Sequence, residues 1–334
     1  MGYSTLAVSI PKEFADDLRI SSGDSLLFRM EADGTLRLIP ATRAKKSSKA
    51  VIRTEQLAGG EMLVRLMVSA YALGYDTIEV VGKEPLDNAT AELTVRTVRR
   101  LMGLEVVESD KRRIVGQSFT DPTKFPVDSL IKRLQILVSQ SLDDVVNALD
   151  LEQTENLGNI ARVQEEIDEL YWLILRQLLV ALSRRELAAE IGIESPLHAS
   201  GDRVSAKTLD EIGNIIKEMA EELVRLKASG TVADSVVTAR VRELAAKAGE
   251  AFSTTMESLL TPDIRLIENA TSLVDDTLRL EREITDEMLQ KREYGYRRVL
   301  VSHFGQLARY CNIIIEIASH RLLRKSSKVA TVQQ

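Results

Sequence analysis

Apolar residues recur at helical spacing in six successive stripes, from about residue 128 to residue 323. Intervals of three and four residues place a stripe on one helix face and indicate that this face is buried. Each stripe is wide enough to need partners on two sides, which a bundle provides. The pattern therefore predicts a mainly α protein with two tandem three-helix bundles, over residues 126–228 and 232–325. Representative stripe positions are, in order, Leu130 and Leu137, Ile160 and Ile167, Leu209 and Ile216, Val237 and Leu244, Ile267 and Val274, and Leu300 and Leu307.

Residues 1–45 follow strand rather than helix spacing. Residues 5–10 are predicted as a strand that ends at Pro11, and residues 13–18 as a short helix. Residues 25–30 and 35–39 are predicted as a hairpin, because a turn containing Gly34 separates them. This segment is expected to be a small β-rich module.

Residues 50–120 alternate short strand patterns with helical ones. Helices are predicted over residues 60–73 and 89–102, among strands over residues 51–54, 77–81, 104–108 and 113–119. These features predict a small α/β unit.

Residues 184–207 contain Pro196, Gly201 and several serines. They are predicted as a long connection between the second and third helices of the first bundle.

Composition narrows the class of protein. The 334 residues contain 4% aromatic residues, which fits aliphatic helix packing. The single cysteine excludes an internal disulfide and indicates a reducing compartment. The start lacks the apolar core of a signal peptide, and no apolar run reaches the roughly 18 residues of a membrane span. We therefore expect a cytoplasmic protein without membrane insertion.

The net charge of −6 is unevenly distributed. Residues 1–49 contain eight Lys/Arg and six Asp/Glu, which leaves 36 Lys/Arg against 44 Asp/Glu in the remainder. Nonspecific binding of nucleic acid over the whole surface is therefore not expected. A basic run between Arg43 and Arg53 is interpreted as a solvated linker in preference to a phosphate-contacting arm.

The sequence contains no phosphate-binding loop, zinc-ligand spacing or nucleophile motif. The three histidines, His198, His303 and His320, are too scattered to predict a site. No catalytic residue is predicted, and an enzyme is not expected.

Oxygen ligands on two predicted helices suggest a metal site in the first bundle. Glu165 and Asp168 lie three residues apart, and Asp210 and Asn214 lie four apart, so each pair shares one helix face. Such side chains on packed helices can converge on a hard or borderline cation, although acidic helix faces are more often simply solvated.

The string S-I-P-K-E-F-A-D-D-L-R-I-S-S-G-D-S-L-L-F-R, followed by D-G-T-L-R-L-I-P, resembles the AbrB/SpoVT swapped-hairpin module. The resemblance implies an intertwined homodimer that often binds DNA. Lys12 and Arg19 are the basic residues left to contact DNA. The family has basic residues at four positions that are occupied here by Ala7, Ala15, Asp16 and Asp17.

The run from Glu165 to Leu178, E-E-I-D-E-L-Y-W-L-I-L-R-Q-L, with L-D-E-I-G-N-I-I-K-E-M-A-E from Leu209, resembles the PhoU domain. That family is a tandem repeat of three-helix bundles whose bacterial members bind iron, zinc or other divalent metals. Here Asn214 replaces the final carboxylate of the metal motif. In the second repeat Gly305 and Arg309 align with Asp210 and Asn214, so both ligand places are lost. The resemblance therefore implies at most a weakly bound divalent metal (Fe, Zn, Mn or Mg), in the first bundle.

The order of modules resembles archaeal PhoU-like phosphate-uptake regulators. It implies control of phosphate transport through contacts with a transporter ATPase or a sensor protein. An AbrB-type transcriptional regulator with a PhoU-like sensor is the alternative, and a metal-dependent helical enzyme is the third interpretation.

Overall fold

The computed structural model describes residues 8–18, 20–30, 34–40, 48–149, 151, 154–183, 185–229, 235–291 and 295–324. The chain divides into two compact units, Met1–Ser48 and Lys49–Gln334. The division into four domains at residues 45, 120 and 228 stays a prediction.

The first unit contains the helix α1 (Lys12–Asp17) and the antiparallel strands β1 (Leu26–Met30) and β2 (Leu36–Pro40). The predicted helix and hairpin are therefore confirmed. Residues 8–10 do not form the predicted strand, and residues 5–7 lie outside the described part of the chain. None of the described side chains in this unit is buried.

The second unit begins with a four-stranded sheet in the order β3-β4-β6-β5. Its elements are β3 (Lys49–Arg53), α2 (Gly60–Ala72), β4 (Thr77–Val81), α3 (Asn88–Arg99), β5 (Leu104–Ser109) and β6 (Arg113–Ser118). β3 and β4 are parallel because α2 connects them, whereas the other neighbours are antiparallel. The predicted α/β unit is confirmed. Lys49–Arg53, the end of the basic run, is a strand rather than a linker, whereas residues 43–47 of that run lie outside the described part of the chain.

The remainder is helical and confirms the two predicted bundles. The first contains α4 (Val127–Asn147), α5 (Leu157–Ser183), the short α6 (Arg185–Glu190) and α7 (Pro196–Ala228). The second contains α8 (Ser235–Leu260), α9 (Ile264–Lys291) and α10 (Tyr296–Leu323). α10 also packs against α7, and α8 against α4, so one continuous apolar core runs through both bundles. Among the described residues, no helix is long and apolar enough to cross a membrane.

The long connection predicted for residues 184–207 is wrong, because α6 and the first turns of α7 fill most of it. Ser195 caps α7 by accepting a hydrogen bond from the His198 amide at 3.1 Å, and Pro196 suits the first turn. A Cβ on Gly201 would lie 2.9 Å from Ile317, so glycine permits close approach of α7 and α10. Pro196 therefore lies in the first turn of α7, and Gly201 lies where α7 packs against α10.

Arg176 of α5 fixes the sheet unit to the first bundle. Its guanidinium donates to the Tyr71 carbonyl at 2.5 Å and the Tyr75 carbonyl at 3.1 Å, and it lies 4.9 Å from the centre of the Tyr71 ring. Trp172 packs against the cores on both sides. A buried cation held by two carbonyls and an aromatic face restricts relative movement of these parts.

Candidate functional site

The four residues predicted as metal ligands, Glu165, Asp168, Asp210 and Asn214, are called the carboxylate face. They lie on α5 and α7, which pack against each other. Gly213 permits this crossing, because a Cβ there would meet the side chains of Gln164 and Ile167.

Asp210 is the buried member of the carboxylate face. Only 5% of the residue is exposed, and its Oδ2 accepts a hydrogen bond from Lys207 Nζ at 2.8 Å. Burial raises the pKa of Asp210 to about 6, against the opposing effect of Lys207 and with a further increase from Asp168. Burial lowers the pKa of Lys207, but its bonds to Asp210 and Glu211 outweigh this and raise the pKa overall.

Asp168 contacts a cation that the sequence pattern did not predict. Its Oδ2 accepts from Arg100 at 3.3 Å, and Arg100 caps α3 in the sheet unit. Its Oδ1 accepts from Gln164 Nε2 at 3.0 Å. After the larger effect of burial, the neighbouring Asp168 also raises the pKa of Asp210.

The other two predicted ligands are less buried, since Glu165 is exposed and Asn214 is half-buried. Within the described part of the chain, Glu165, Asp168 and Asp210 do not form a trio with converging ligand atoms. The structure brings Asp168 and Asp210 together and adds Lys207 and Arg100 to them. The metal site stays a prediction.

The aligned positions of the second bundle have a different arrangement. Arg309 Nη2 of α10 donates to Glu281 Oε2 of α9 at 3.0 Å. The second bundle thus has an ion pair between two helices where the first bundle has neighbouring carboxylates. A Cβ on Gly305 would lie 2.7 Å from Glu281 Cγ. Glycine is therefore what lets Glu281 lie against α10 and reach Arg309.

A polar cluster that the sequence did not predict joins the two bundles. We call it the bundle joint; it consists of Asp128, His198, Asp202 and Arg321. Arg321 of α10 donates to Asp202 of α7 at 2.5 Å, to Asp128 of α4 at 3.3 Å and to the Leu259 carbonyl at 3.0 Å. Asp202 is fully buried, and Arg321 is 9% exposed. One guanidinium thus connects four helices.

Ligand atoms of Asp128, His198 and Asp202 lie within 4.8 Å of one another, a spacing that could hold a metal. However, His198 Nδ1 accepts from the Glu194 amide at 3.3 Å, so the neutral ring carries its proton on Nε2. That nitrogen faces Asp202 Oδ2 at 3.4 Å. Because Nε2 has no free lone pair and Arg321 already pairs with both carboxylates, the joint is an ion-pair network.

Burial controls the ionisation of the joint. It lowers the pKa of His198 and raises the pKa of Asp202, and Arg321 opposes the rise at Asp202. A signal for this cluster was present in the sequence. Asp202 lies seven residues before Leu209, on the same buried stripe, and four after His198.

The residues predicted to contact DNA, Lys12 and Arg19, belong to the first unit. Lys12 is exposed at the start of α1, whereas Arg19 lies outside the described residues. The unit exposes apolar side chains, with Phe14 at 48%, Phe28 at 50% and Met30 at 77%. The described residues of this module form no buried core, and exposed apolar side chains of this kind are typical of an interaction surface.

Comparison with known families agrees with this organisation. Residues 1–46 match the model described as antidote-toxin recognition MazE, bacterial antitoxin, and residues 131–223 match the PhoU domain. The chain thus has a MazE/AbrB-like domain at its N-terminus and a PhoU domain in its C-terminal region, both from regulatory rather than enzymatic families. Both resemblances drawn from the sequence are confirmed, while the archaeal source stays a prediction.

A search of curated proteins gave no match. Among solved structures, the crystal structure of PhoU from Pseudomonas aeruginosa matches with a TM-score of 0.49 and 17% identity. That alignment covers 58% of this chain and 94% of the other.

Proposed function

We propose that this protein regulates phosphate uptake from the cytoplasm, through contacts with other proteins. The match of residues 131–223 to the PhoU domain carries the proposal. The internal pairing of its polar clusters supports a non-catalytic role. Asp202 and Asp210 bond to protein cations, which occupy these carboxylates.

A deletion strain of the source organism tests this function. Loss of the gene should relieve repression of phosphate uptake at high phosphate, and the full chain should restore it. Radiolabelled phosphate uptake at low and high external phosphate is the measurement. Unchanged uptake at both concentrations would contradict the proposal.

The direct partner is proposed to be a transporter ATPase or a phosphate sensor. Affinity capture with the tagged full chain from native lysate, followed by mass spectrometry and sequencing of bound DNA, separates the alternatives. Recovery of a phosphate-transport ATPase or sensor supports the regulator. Recovery of promoter fragments without such a protein supports the transcription factor.

A homodimer through residues 1–45 is part of the proposal. The module has no buried side chain among its described residues, and a two-stranded hairpin is marginal alone. A second copy that covers Phe14, Phe28 and Met30 would supply the missing core. Light scattering should give the mass of a dimer for the full chain and of a monomer for one lacking residues 1–45. A monomeric full chain at micromolar concentration would refute this.

DNA binding is the alternative function, and the MazE-type match favours it. Lys12 and Arg19 offer few phosphate contacts, so we expect weak binding with a shallow salt dependence. Fluorescence anisotropy with promoter DNA at two salt concentrations measures both quantities. Submicromolar affinity at physiological salt with a steep slope would favour the transcription factor.

A further inference from the structure

The metal that the PhoU resemblance implies requires oxygen lone pairs that face one point. In the first bundle these oxygens already accept hydrogen bonds: Asp168 from Gln164 and Arg100, and Asp210 from Lys207. Glu165 is exposed and does not complete a trio with them among the described residues. The residues as arranged do not fit a metal, because protein donors, two of them cations, already occupy the oxygens that it would need.

Lys207 lies in surroundings that suit a cation. Its Nζ is 2.8 Å from Asp210 Oδ2, 2.7 Å from Glu211 Oε1 and 5.3 Å from the centre of the Tyr171 ring. Two carboxylates and an aromatic face attract positive charge. The side chain of Lys207 is 48% exposed and that of Asp210 only 6%, so the ammonium covers a buried carboxylate.

We propose that Lys207 is a tethered cation that competes with divalent metal for the carboxylate face. The ammonium already pairs with the Asp210 carboxylate and repels a second cation there, so metal binding displaces the lysine. A competitor on the same chain acts at a high effective concentration and lowers the apparent metal affinity. Removal of the charge at residue 207 frees Asp210 beside Asp168, and the pair then attracts a divalent ion.

The second bundle provides an internal contrast. Arg309 pairs with Glu281, whose side chain is 13% exposed, but Gly305 offers no ligand there. Removal of Arg309 leaves one carboxylate, with no trio around it among the described residues. One carboxylate is too few ligands for a protein site, so this bundle should not gain metal affinity.

The test is a titration of the metal-free full chain with Mn²⁺, with the free ion measured by electron paramagnetic resonance. Lys207→Met should bind one Mn²⁺ at least tenfold more tightly than the wild type. Lys217→Met is the matched control, because it removes a lysine that pairs with Glu221 on the same helix at 3.6 Å. That variant and Arg309→Met should both bind like the wild type.

A second variant ties the gain to the carboxylate face. Lys207→Met/Asp210→Asn should lose the added affinity, and Mn²⁺ should raise the melting temperature of Lys207→Met but not of the double variant. Lys207→Gln keeps a donor without the charge, so it should show the same gain if the methionine variant misfolds. Wild-type affinity in the folded Lys207 variants, or tight binding that persists in the double variant, would overturn the proposal.

Discussion

The two bundles share a helical pattern but differ in the charge that they bury at matching positions of their third helices. In the first, α7 presents the buried Asp210, which Lys207 holds one turn away. In the second, α10 presents Gly305 and Arg309, and the carboxylate comes from α9. Apolar stripes are therefore sufficient to specify a bundle, while polar positions within them diverge. The first bundle has the more buried ionisable group, and its stability should respond more strongly to pH and to loss of a cation.

The largest effect on stability is expected at the bundle joint, where residues of both bundles contact each other. Arg321→Met leaves the fully buried Asp202 without its cation, and loss of one partner of a buried ion pair costs about 3–5 kcal/mol. Urea denaturation should show a decrease of about 3 kcal/mol in the free energy of unfolding, because protonation of Asp202 relieves part of the cost. The exposed pair of Arg279 and Asp276 offers the control Arg279→Met, expected to cost less than about 1 kcal/mol.

A double variant separates the ion pair from general damage at the joint. Asp202→Asn/Arg321→Met removes both charges, so its cost should be smaller than the sum of the two single costs by about 1–3 kcal/mol. Simple additivity would show that Arg321 acts through packing rather than through Asp202.

The second effect concerns the part of the pH dependence of stability that comes from Asp210 in the first bundle. Burial raises the pKa of Asp210 in the folded state to about 6, above its ordinary value of 3.8, so the folded state retains this proton more strongly than the unfolded state. The resulting stability is fully present below about pH 4 and is lost as pH rises through about 6. A shift of about two units corresponds to at most about 3 kcal/mol. We expect the wild type to lose about 2 kcal/mol more than Asp210→Asn over this range.

Urea denaturation at half-unit pH intervals from 4 to 7 measures this difference. Asp275→Asn, at an exposed position on α9, should retain the wild-type pH profile. If Asp210→Asn also retains that profile, Asp210 is not the group responsible.

These differences show what the sequence could and could not predict. The helices were predictable because each buries a continuous stripe, and the sheet unit was predictable from its turns and strand lengths. The contacts of Arg321 with Asp202 and of Arg100 with Asp168 were not, because each joins residues far apart in the chain. Pro196 and Gly201 suggested a loop, yet they start α7 and fit its crossing with α10. Local composition gives no indication of a partner helix at such positions.

A smaller effect on stability is expected from adding a methyl group at a glycine in each bundle. Gly213→Ala places a methyl group against Gln164 and Ile167 where α5 meets α7, and we expect a cost of about 1 kcal/mol. Gly249 of α8 has no atom within 4 Å of an added Cβ. Gly249→Ala should therefore stabilise the protein by about 0.5–1 kcal/mol, since alanine favours a helix. Thermal melting should show a lower melting temperature for Gly213→Ala and a higher one for Gly249→Ala. A higher melting temperature in both variants would mean that the α5–α7 crossing has room for a side chain.

The smallest difference between matched variants compares the two cations directly. Arg309 is 54% exposed, so solvent screens its pair with Glu281, and Arg309→Met should cost about 0.5 kcal/mol. Lys207 is similarly exposed, but its partner Asp210 is buried, so Lys207→Met at pH 7 without metal should cost about 1–2 kcal/mol. Both costs should fall in high salt. The cost that remains should be larger for Lys207→Met, because Asp210 is buried away from solvent and salt. Equal costs at both sites would mean that burial of the carboxylate does not distinguish the two bundles. A larger cost for Arg309→Met would mean that the second bundle, and not the first, depends more on its cation.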